Sequence, residues 1–427
     1  MAYEINGTVA ADLAAVRSAL GIGLNPNRFA LLGDSRLAKQ YTDVTTTRRQ
    51  KAANCFFNVA NTLLGQRMLT AANLSVAGYR TDQLVPFITS ALNNDAMWII
   101  LWSGVNSITQ GYTAAAIFAD IKIMADAAIA AGKRPIICTE PGDGAYATTV
   151  LAGKVYDLNE MLREYCEKSA GAVLFDIANL QIDPASASYT VAKSGYTQDN
   201  VHLNVLGSYI VGQAFATLID QLGVPPLPFL PVASAEKINT GSANLLSNPF
   251  FTTTTGGTNF NTGSISGNIP ASWIVNASGS VSCVFSSAAN ADGYGNDVIA
   301  TLTTMGFGQV SLYQQINTPG FVTPGVTQLY SGAEVTIDAG SSNFPGVAAN
   351  CNITVDGVGA TYWDNFPPNT EGPGVTTAHT QTLKTDPNQA AAGSVITSAS
   401  AGLIMYGIGT GSAVVRIRRP FWRKRLT

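Results

Sequence analysis

Four short polar segments hold the side chains that could carry out nucleophilic chemistry in this chain. They are Leu32–Arg36, Ser75–Tyr79, Ser103–Ser107 and Thr197–Asn204. Nucleophilic acyl transfer needs a hydroxyl, a base that takes its proton, a group that orients the base, and donors that face the developing oxyanion. Each segment alone is a weak signal, because any turn from strand to helix favours Gly, Ser, Asp and Asn. The order of all four segments along the chain is much less likely to arise by chance.

Five residues in these segments are the candidates for such chemistry. Ser35 stands where a strand leads into a helix, so its backbone N–H can point at an anion. His202 is the only histidine in the first 230 residues, which leaves no other imidazole there to serve as the base. Asp199, three residues earlier, can reach around a turn and hold the imidazole tautomer. Gly78 can offer an unobstructed backbone N–H, and Asn106 a side-chain N–H.

Alternating strands and helices are predicted around these segments. Short apolar runs predict strands at Phe29–Leu32, Leu74–Ala77, Trp98–Trp102, Pro135–Cys138 and Ala172–Phe175. Apolar side chains at helical spacing predict helices over Ile117–Ala128, Leu151–Tyr165 and Leu206–Leu222. Strands that are apolar on both faces and separated by helices indicate a parallel sheet covered on both sides. In such sheets the site lies at the carboxyl ends of the strands.

The four segments, in this order and on this alternating pattern, resemble the GDSL/SGNH hydrolase family. The resemblance covers about Phe29–Leu222. It implies a flavodoxin-like three-layer α/β/α sandwich, and an esterase, lipase, thioesterase or carbohydrate deacetylase activity without a metal or another cofactor. It makes Ser35 the nucleophile and one oxyanion-hole donor, with Gly78 and Asn106 as the other donors. The Asp-x-x-His of the last segment supplies Asp199 and His202.

Two positions depart from the family pattern. The third segment reads Gly104-Val105-Asn106-Ser107 where the family has Gly-x-Asn-Asp, so that Ser107 is expected to cap the following turn. Arg36 stands where the family has leucine. Arg36, Tyr79 and Trp102 are candidate substrate contacts, although Arg36 would also suit a solvated helix start and Trp102 a core position. Asp34, beside the nucleophile, is expected to be a structural hydrogen-bonding residue.

Charge density marks the boundary between two dissimilar parts. Residues 1–230 hold 34 charged side chains, and residues 241–415 hold nine. The run GVPPLPFLPVAS at Gly223–Ser234 contains four prolines and suits an extended connector. Beyond it, short β-type runs and frequent turn residues predict an antiparallel sandwich. The basic C-terminal run RIRRPFWRKRLT is expected to be a solvated edge strand.

We therefore expect an α/β hydrolase domain followed by an all-β jelly-roll sandwich. The predicted divisions are an N-terminal segment (1–24), the hydrolase domain (25–224), a Pro-rich linker (225–240) and a carbohydrate-binding-like β-sandwich (241–427). The segments Asn244–Phe251 and Pro270–Trp273 look like the start of jelly-roll carbohydrate-binding modules. Such a module would raise the effective concentration of an esterase on a polymer.

Composition argues against several other classes. Charged residues make up 12% of the chain and the net charge is −3, so we expect no nucleic-acid partner. The longest apolar run, Ala96–Trp102, is far shorter than the ~18 residues of a membrane span, so no membrane partner is expected. Two histidines and five scattered cysteines favour neither a metal site nor a disulfide framework. The N-terminus carries Glu4 and Asp12 and does not resemble a secretory signal peptide.

These features together predict a serine esterase that removes O-acetyl groups from a polysaccharide such as a capsule or O-antigen. Scarce charge, the Gly/Ser/Thr/Asn-rich C-terminal part and the Ala11–Gly23 stretch look like bacteriophage tail-spike proteins. We expect an extracellular or virion-associated protein, with a homotrimer if it is a tail spike. Two alternatives stay open: a non-catalytic receptor-binding or structural tail protein, and a secreted bacterial short-chain esterase.

Overall fold

The computed structural model describes residues 23–45, 47–146, 149–227, 230–232, 244–260, 264–366 and 374–425. The chain divides into two compact units. The first consists of the residues up to Gln40, Asn54–Asn61 and Arg67–Pro226, and the second of Tyr41–Ala53, Thr62–Gln66 and the residues from Leu227 onward. Nearly all of the predicted N-terminal segment and most of the predicted linker lie outside the described residues.

The first part of the chain contributes seven strands. These are β1 Asn25–Gly33, β2 Tyr41–Val44, β3 Arg48–Ala52, β4 Leu69–Asn73, β5 Ala96–Trp102, β6 Arg134–Cys138 and β7 Val173–Phe175. Five of them form a parallel sheet in the order β4-β1-β5-β6-β7. Taken in chain order within this sheet, the strands read 2-1-3-4-5, the flavodoxin-like order. The predicted α/β fold class is confirmed.

The second strand of this sheet was predicted at the wrong place. The sequence suggested Leu74–Ala77, whereas β4 occupies Leu69–Asn73. The strand lies at the edge of the sheet and its residues are only half-buried, so its apolar pattern is weak. The more apolar run that follows forms the start of the loop leading to Gly78.

Helices cover the parallel sheet, and alternate strand residues face opposite sides. The longer helices are Phe56–Leu63, Ala114–Ala130, Val150–Lys168 and Val205–Gln221, and the shorter ones are Ser35–Ala38, Thr81–Leu84, Ile88–Leu92, Val105–Thr109 and Ile177–Gln181. On one face Ala30 and Leu32 of β1 join a buried cluster with the helix residues Ile117 and Leu158. On the other, an aromatic cluster contains Phe56, Trp98, Trp102, Phe175 and Phe215. The sheet therefore lies between two helical layers.

Threonine and asparagine begin two of the long helices. Thr113 accepts a hydrogen bond from the N–H of Ala116 at 3.2 Å, and Asn204 accepts one from the N–H of Gly207 at 2.9 Å. These caps satisfy N–H groups that have no partner within a first helical turn. The cap at Asn204 fixes where the last polar segment of the sequence ends and its helix begins. No helix in the described ranges has both the length and the apolar character that a membrane crossing requires.

The second unit is built on a 13-stranded sheet that includes β2 and β3. Its other strands are β8 Thr258–Asn259, β9 Ile265–Gly267, β10 Ile274–Ala289, β11 Asn296–Asn317, β12 Gln328–Ile337, β13 Gly346–Val355, β14 Val358–Phe366, β15 His379–Lys384, β16 Asn388–Gln389, β17 Ile396–Ile408 and β18 Ala413–Arg425. The main path runs β15-β12-β18-β11-β17-β13-β14-β3-β2. The Ser331 hydroxyl of β12 donates to the carbonyl of Asn350 on β13, although the two strands are not neighbours in this path. The sheet must therefore fold back on itself around one buried core.

Two features of the second unit differ from the sequence predictions. The hairpin of β2 and β3 lies inside the predicted hydrolase domain in sequence, yet β3 pairs in parallel with β14. The basic run at the C-terminus is an interior strand, β18, which pairs with β12 on one side and β11 on the other. Apolar residues of this strand, Ile417, Phe421 and Trp422, are fully buried, while Arg416 and Arg418 form ion pairs with aspartates. The expected edge strand was therefore wrong.

Candidate active site

The turn that carries the candidate nucleophile begins at the carboxyl end of β1. Gly33 lies so close to β5 that a side-chain Cβ there would come within 2.2 Å of the Trp102 carbonyl oxygen. The N–H of Asp34 donates to the same carbonyl at 3.2 Å. Asp34 then caps the short helix that starts at Ser35, accepting from the N–H of Arg36 at 3.1 Å. The local sequence thus fixes Ser35 at the rim of the sheet, and Asp34 is confirmed as a structural residue.

Three side chains form a continuous hydrogen-bonded series at this rim. The Ser35 Oγ lies 2.8 Å from the His202 Nε2. The His202 Nδ1 lies 2.6 Å from the Asp199 Oδ2. The second carboxylate oxygen of Asp199 accepts the backbone N–H groups of His202 at 2.7 Å and Val201 at 3.2 Å. The structure therefore brings together hydroxyl, imidazole and carboxylate in the order that acyl transfer requires.

The ionisation state of Asp199 determines which nitrogen of the His202 ring carries the hydrogen. Burial alone would raise the pKa of Asp199, but the N–H groups of His202 and Val201 and the His202 side chain outweigh it, so the pKa lies below its usual value. An ionised carboxylate accepts hydrogen bonds and donates none. The His202 Nδ1 must then carry the hydrogen that it shares with Asp199. This leaves Nε2 free to accept the hydroxyl hydrogen of Ser35.

A tight turn presents His202 to the nucleophile. Its two sides are joined by a bridge between Thr197 and Leu203 and by the Gln198 N–H, which donates to the His202 carbonyl at 3.0 Å. Asn204 closes the turn, because its side-chain N–H donates to the Gly195 carbonyl at 2.6 Å. The polar segment Thr197–Asn204 is therefore a loop held by its own hydrogen bonds, and it ends at the residue that caps the next helix.

The candidate oxyanion donors lie on the turns after β4 and β5, the two strands on either side of β1. The Val76 N–H donates to the Gly33 carbonyl at 2.9 Å, which places the first of these loops beside the nucleophile turn. Gly78 is exposed in that loop. Asn106 is half-buried, and its side-chain N–H donates to the carbonyl of Tyr79 at 3.0 Å. The structure thus links the residues beside Gly78 to Asn106 at the same end of the sheet as Ser35.

The substrate contacts expected from sequence divide into buried and accessible positions. Arg36 and Trp102 are only 4% and 1% exposed, so neither can reach a substrate at the surface, and both expectations were wrong. Arg36 is not a solvated helix-start residue either, because carboxylates surround its guanidinium. Tyr79 is half-buried and packs edge-on against Phe87, with ring centroids 6.1 Å apart. Its contact with substrate stays a prediction.

Two buried polar residues, whose partners were not predicted from the sequence, brace the Asn106 turn. Ser107 is fully buried, and its hydroxyl accepts the Thr81 N–H at 3.0 Å rather than capping its own turn. Glu140 is also fully buried and accepts the Val105 N–H at 3.0 Å. The one available signal for Glu140 was its place two residues after the buried strand β6, at the carboxyl end of the sheet. Local composition gave no indication of its partners.

In the described residues, no cluster of three or more His, Cys, Asp or Glu side chains is arranged to hold a metal ion.

Residues 31–210 match the model of the GDSL-like Lipase/Acylhydrolase family. No curated protein matches the chain. A GDSL-like lipase from Bacteroides thetaiotaomicron is 13% identical over 50% of this chain and 99% of its own, with a TM-score of 0.37. An acetyl-xylooligosaccharide esterase variant from Geobacillus is 13% identical over 46% and 95%, with a TM-score of 0.35. Carbohydrate-binding modules of the β-sandwich superfamily match 35% of this chain and 56% of theirs at 13% identity and a TM-score of 0.27.

The first unit has the architecture of a parallel α/β hydrolase domain, with a serine–histidine–aspartate series at the carboxyl ends of its strands. The family match covers the segment from within β1 to the start of the last long helix, and so includes all three of these residues. This part of the chain is therefore similar to the GDSL-like lipase and acylhydrolase family.

Proposed function

We propose that this protein is a serine esterase that removes O-acetyl groups from a polysaccharide, borne on a bacteriophage tail. The observation that carries the esterase proposal is the series Ser35 Oγ to His202 Nε2 at 2.8 Å and His202 Nδ1 to Asp199 Oδ2 at 2.6 Å. A base within hydrogen-bond reach of a hydroxyl, itself oriented by a third group, is the arrangement that activates a serine. The match of residues 31–210 to the GDSL-like lipase and acylhydrolase family supports the same chemistry.

Acylation begins when the Ser35 oxygen attacks the acetyl carbonyl carbon. The Ser35 proton moves to the Nε2 of His202, and the negative charge of the tetrahedral intermediate faces the N–H groups of Ser35 and Gly78 and the Asn106 amide. When the intermediate collapses, the ester C–O bond breaks and His202 gives its proton to the departing sugar oxygen. The sugar hydroxyl leaves and the acetyl group remains on Ser35.

Deacylation repeats the sequence with water in place of the serine. Water attacks the acetyl carbonyl while His202 takes its proton, and collapse of the second intermediate returns that proton to Ser35 and releases acetate. Asp199 stays ionised throughout and stabilises the imidazolium that forms in each half-reaction. No other reactant is needed, because water supplies the hydroxyl of the acid product.

The polysaccharide proposal rests on the second unit and on the aromatic rim of the site. Tyr79 follows Gly78 directly, and an aromatic ring there can stack on the apolar face of a sugar. The all-β unit begins with segments that look like carbohydrate-binding modules, Asn244–Phe251 and Pro270–Trp273. Attachment of such a unit to an esterase keeps the site close to a polymer. The tail location rests on the Gly/Ser/Thr/Asn-rich composition of this unit and on the Ala11–Gly23 stretch, and a homotrimer is what a tail spike would imply.

The direct test of the esterase proposal is hydrolysis of p-nitrophenyl acetate by wild type and by Ser35→Ala. The wild type should release p-nitrophenol, and the variant should lose at least about 10³-fold in kcat, because the attacking oxygen is removed. Equal rates in the two proteins would refute the proposal and leave the chain as a binding or structural protein. A preference for acetyl over octanoyl esters is expected; the opposite preference would indicate a lipase.

The substrate class is tested by acetate release from acetylated surface glycans. Wild type and Ser35→Ala should be incubated with capsular and O-antigen polysaccharides, with the chemically deacetylated forms as matched controls. Release of acetate from at least one bacterial glycan by the wild type alone is expected. Activity on p-nitrophenyl acetate without release from any glycan, including acetylated plant xylans, would contradict the polysaccharide proposal and keep the esterase.

A further inference from the structure

A buried ion network lies next to the candidate nucleophile and takes no part in the proton relay. The Arg36 guanidinium contacts the carboxylates of Asp34 and Glu140, and all three side chains are at most 1% exposed. Its N–H groups donate to Asp34 at 2.9 and 2.6 Å. They also donate to both carboxylate oxygens of Glu140, at 2.6 and 2.7 Å. The guanidinium carbon lies 4.4 Å from the centroid of the Trp102 ring.

The network carries two negative charges and one positive charge. Backbone N–H groups donate to the carboxylates and so stabilise the excess negative charge. Glu140 accepts the Val105 N–H at 3.0 Å on one oxygen and the Gly142 N–H at 2.8 Å on the other. Asp34 accepts the N–H of Arg36 at 3.1 Å. A buried charge is tolerated only when such partners are in place. The network is therefore coupled to the positions of the two turns that supply these N–H groups.

Glu140 contacts the turn that holds the oxyanion donor. Val105, which donates to Glu140, directly precedes Asn106. A Cβ on Gly104, where φ is +154°, would lie 2.9 Å from the Glu140 carboxylate, so glycine is required for this close approach. The Glu140 backbone is itself fixed, because the Asn159 side chain accepts its N–H and donates to its carbonyl, each at 2.7 Å. Glu140 thus has a fixed position from which to hold the turn.

Arg36 connects this carboxylate to the nucleophile. It follows Ser35 in the same short helix, and its side chain reaches Glu140 after β6, which neighbours β5 in the sheet. The turn of Ser35 and the turn of Asn106 are therefore both attached to one carboxylate. We propose that Glu140, acting through Arg36 and Val105, is a positioning residue that sets the spacing between the Ser35 hydroxyl and the Asn106 amide.

This inference rests on the proposed esterase function, since the spacing affects a rate only if Asn106 faces an oxyanion formed at Ser35. Glu140 and Arg36 do not touch the substrate, so their loss should leave substrate binding largely intact. A displacement of about 1 Å between reacting groups can lower a rate by about 10²-fold. The expected signature is therefore a fall in kcat with little change in KM.

The test is Glu140→Gln, which keeps the side-chain volume but removes the charge and one acceptor oxygen. The amide nitrogen of glutamine accepts no hydrogen bond, so one Arg36 N–H and one backbone N–H lose the oxygen that they share. We expect kcat for p-nitrophenyl acetate to fall about 10- to 100-fold while KM changes less than about threefold. Glu140→Asp, which keeps the charge, should recover at least about fivefold of the lost kcat. Arg36→Lys keeps its charge but loses the planar fork, and should lower kcat like Glu140→Gln.

A matched control is Lys133→Met, which removes a buried charge at the opposite end of the same sheet. Lys133 is 2% exposed, and its ammonium donates to the carbonyl of Ala96, the first residue of β5, at 2.7 Å. This variant should lower Tm as Glu140→Gln does but keep kcat within about twofold of wild type. If the two variants lose kcat equally, or if neither does, Glu140 is a structural residue only and the inference is overturned.

Failure of the inference and failure of the proposed function give different results. If the wild type shows no hydrolysis that depends on Ser35, the proposed function fails. If the wild type hydrolyses the ester and Ser35→Ala does not, while Glu140→Gln and Arg36→Lys both keep wild-type kcat, only the positioning role fails. If Glu140→Gln does not fold, Arg36→Lys measured below its Tm decides the question, with a wild-type kcat counting against the role.

Discussion

The side chain of Asn106 donates to the backbone carbonyl of Tyr79 at 3.0 Å. This bond joins the turn after β5 to the loop that contains Gly78, so the two outer donors of the proposed oxyanion hole are attached to each other. One amide N–H of Asn106 is used in this way, and the second is the one that we propose faces the oxyanion. The donor set is therefore organised before substrate arrives, which is the condition under which such donors lower a barrier most.

Replacement of Asn106 by alanine should lower kcat by about 10²- to 10³-fold, the loss typical of an oxyanion donor. The change also removes the bond to Tyr79, so the Gly78 loop loses a support. Steady-state kinetics with p-nitrophenyl acetate measure the effect. Asn27→Ala is a suitable control, because Asn27 is a buried asparagine at the other end of β1 that bonds to backbone carbonyls. A kcat for Asn106→Ala within threefold of wild type would argue against Asn106 as a donor.

Replacement of Asp199 by asparagine should lower kcat by about 10³- to 10⁴-fold. An asparagine side chain can donate to His202 Nδ1 and so favour the tautomer whose Nε2 carries hydrogen, which cannot accept the Ser35 proton. Because the change is isosteric, KM and Tm should change far less than kcat. Asp183→Asn serves as the control, since that carboxylate accepts a backbone N–H in a turn outside the site. If both variants kept wild-type kcat, another group would have to orient His202.

The lowered pKa of Asp199 predicts a stability difference that depends on acidity. The folded pKa lies below the ~3.9 of an unfolded aspartate, so the ionised form contributes stability that is complete above that value. This contribution is lost as the pH falls through the lower, folded pKa. The Tm gap between wild type and Asp199→Asn should not narrow between pH 7 and about 5, and should narrow below about pH 4. Calorimetry across this range checks the sign, and a gap that widened steadily below pH 4 would contradict it.

A half-buried lysine, Lys51, should stabilise the second unit. The ammonium of Lys51 lies 3.6 Å from Asp364 and 3.4 Å from Asp386, and it donates to the Lys384 carbonyl at 3.0 Å. Burial alone would lower the pKa of Lys51, but the two carboxylates outweigh it and raise the pKa. Burial raises the pKa of Asp364, which is only 1% exposed. Lys51→Met should lower the free energy of unfolding by about 3 kcal/mol, because it leaves the buried Asp364 without its cation, whereas Asp386 keeps the Arg49 guanidinium at 3.0 Å.

The Lys51 prediction is checked by urea unfolding of the full chain. Lys168→Met is the control, because Lys168 pairs with Glu164 on an exposed helix face, where ion pairs contribute little. The control should unfold at the wild-type urea concentration. Equal midpoints for Lys51→Met and wild type would mean that the hairpin of β2 and β3 is held by its backbone pairing with β14 alone.

Much of the site could be predicted from local sequence because its parts are local turns. Ser35 follows a buried strand, and the spacing of Asp199 and His202 fits one turn, so each element could be recognised without knowing its neighbours. The class of fold followed from the same kind of signal. Apolar runs and helical spacing depend on residues within about ten positions of each other. They located the strands β1, β5, β6 and β7 and the three longest helices, but not the helix Phe56–Leu63.

Pairing between distant segments could not be predicted in the same way. The hairpin of β2 and β3 precedes its partner β14 by about 300 residues, and nothing in its own composition specifies that pairing. The basic run of β18 suggested a solvated edge, but Ile417, Phe421 and Trp422 face a core that exists only when β11 and β12 close on both sides of it. A charged strand is compatible with the interior once its arginines find carboxylates.

The sequence by itself determined which residues could do chemistry and which elements would carry them, because those properties reside in short stretches of chain. The tertiary structure determined which side chains these residues contact. Arg36 was a candidate substrate contact until the fold placed Glu140 beside it, and Glu140 had no recognisable role until the carboxyl ends of β1, β5 and β6 met. The role of a buried charged side chain depends on the groups that surround it. Those groups come from segments that are far apart in sequence, so they cannot be predicted from the local sequence.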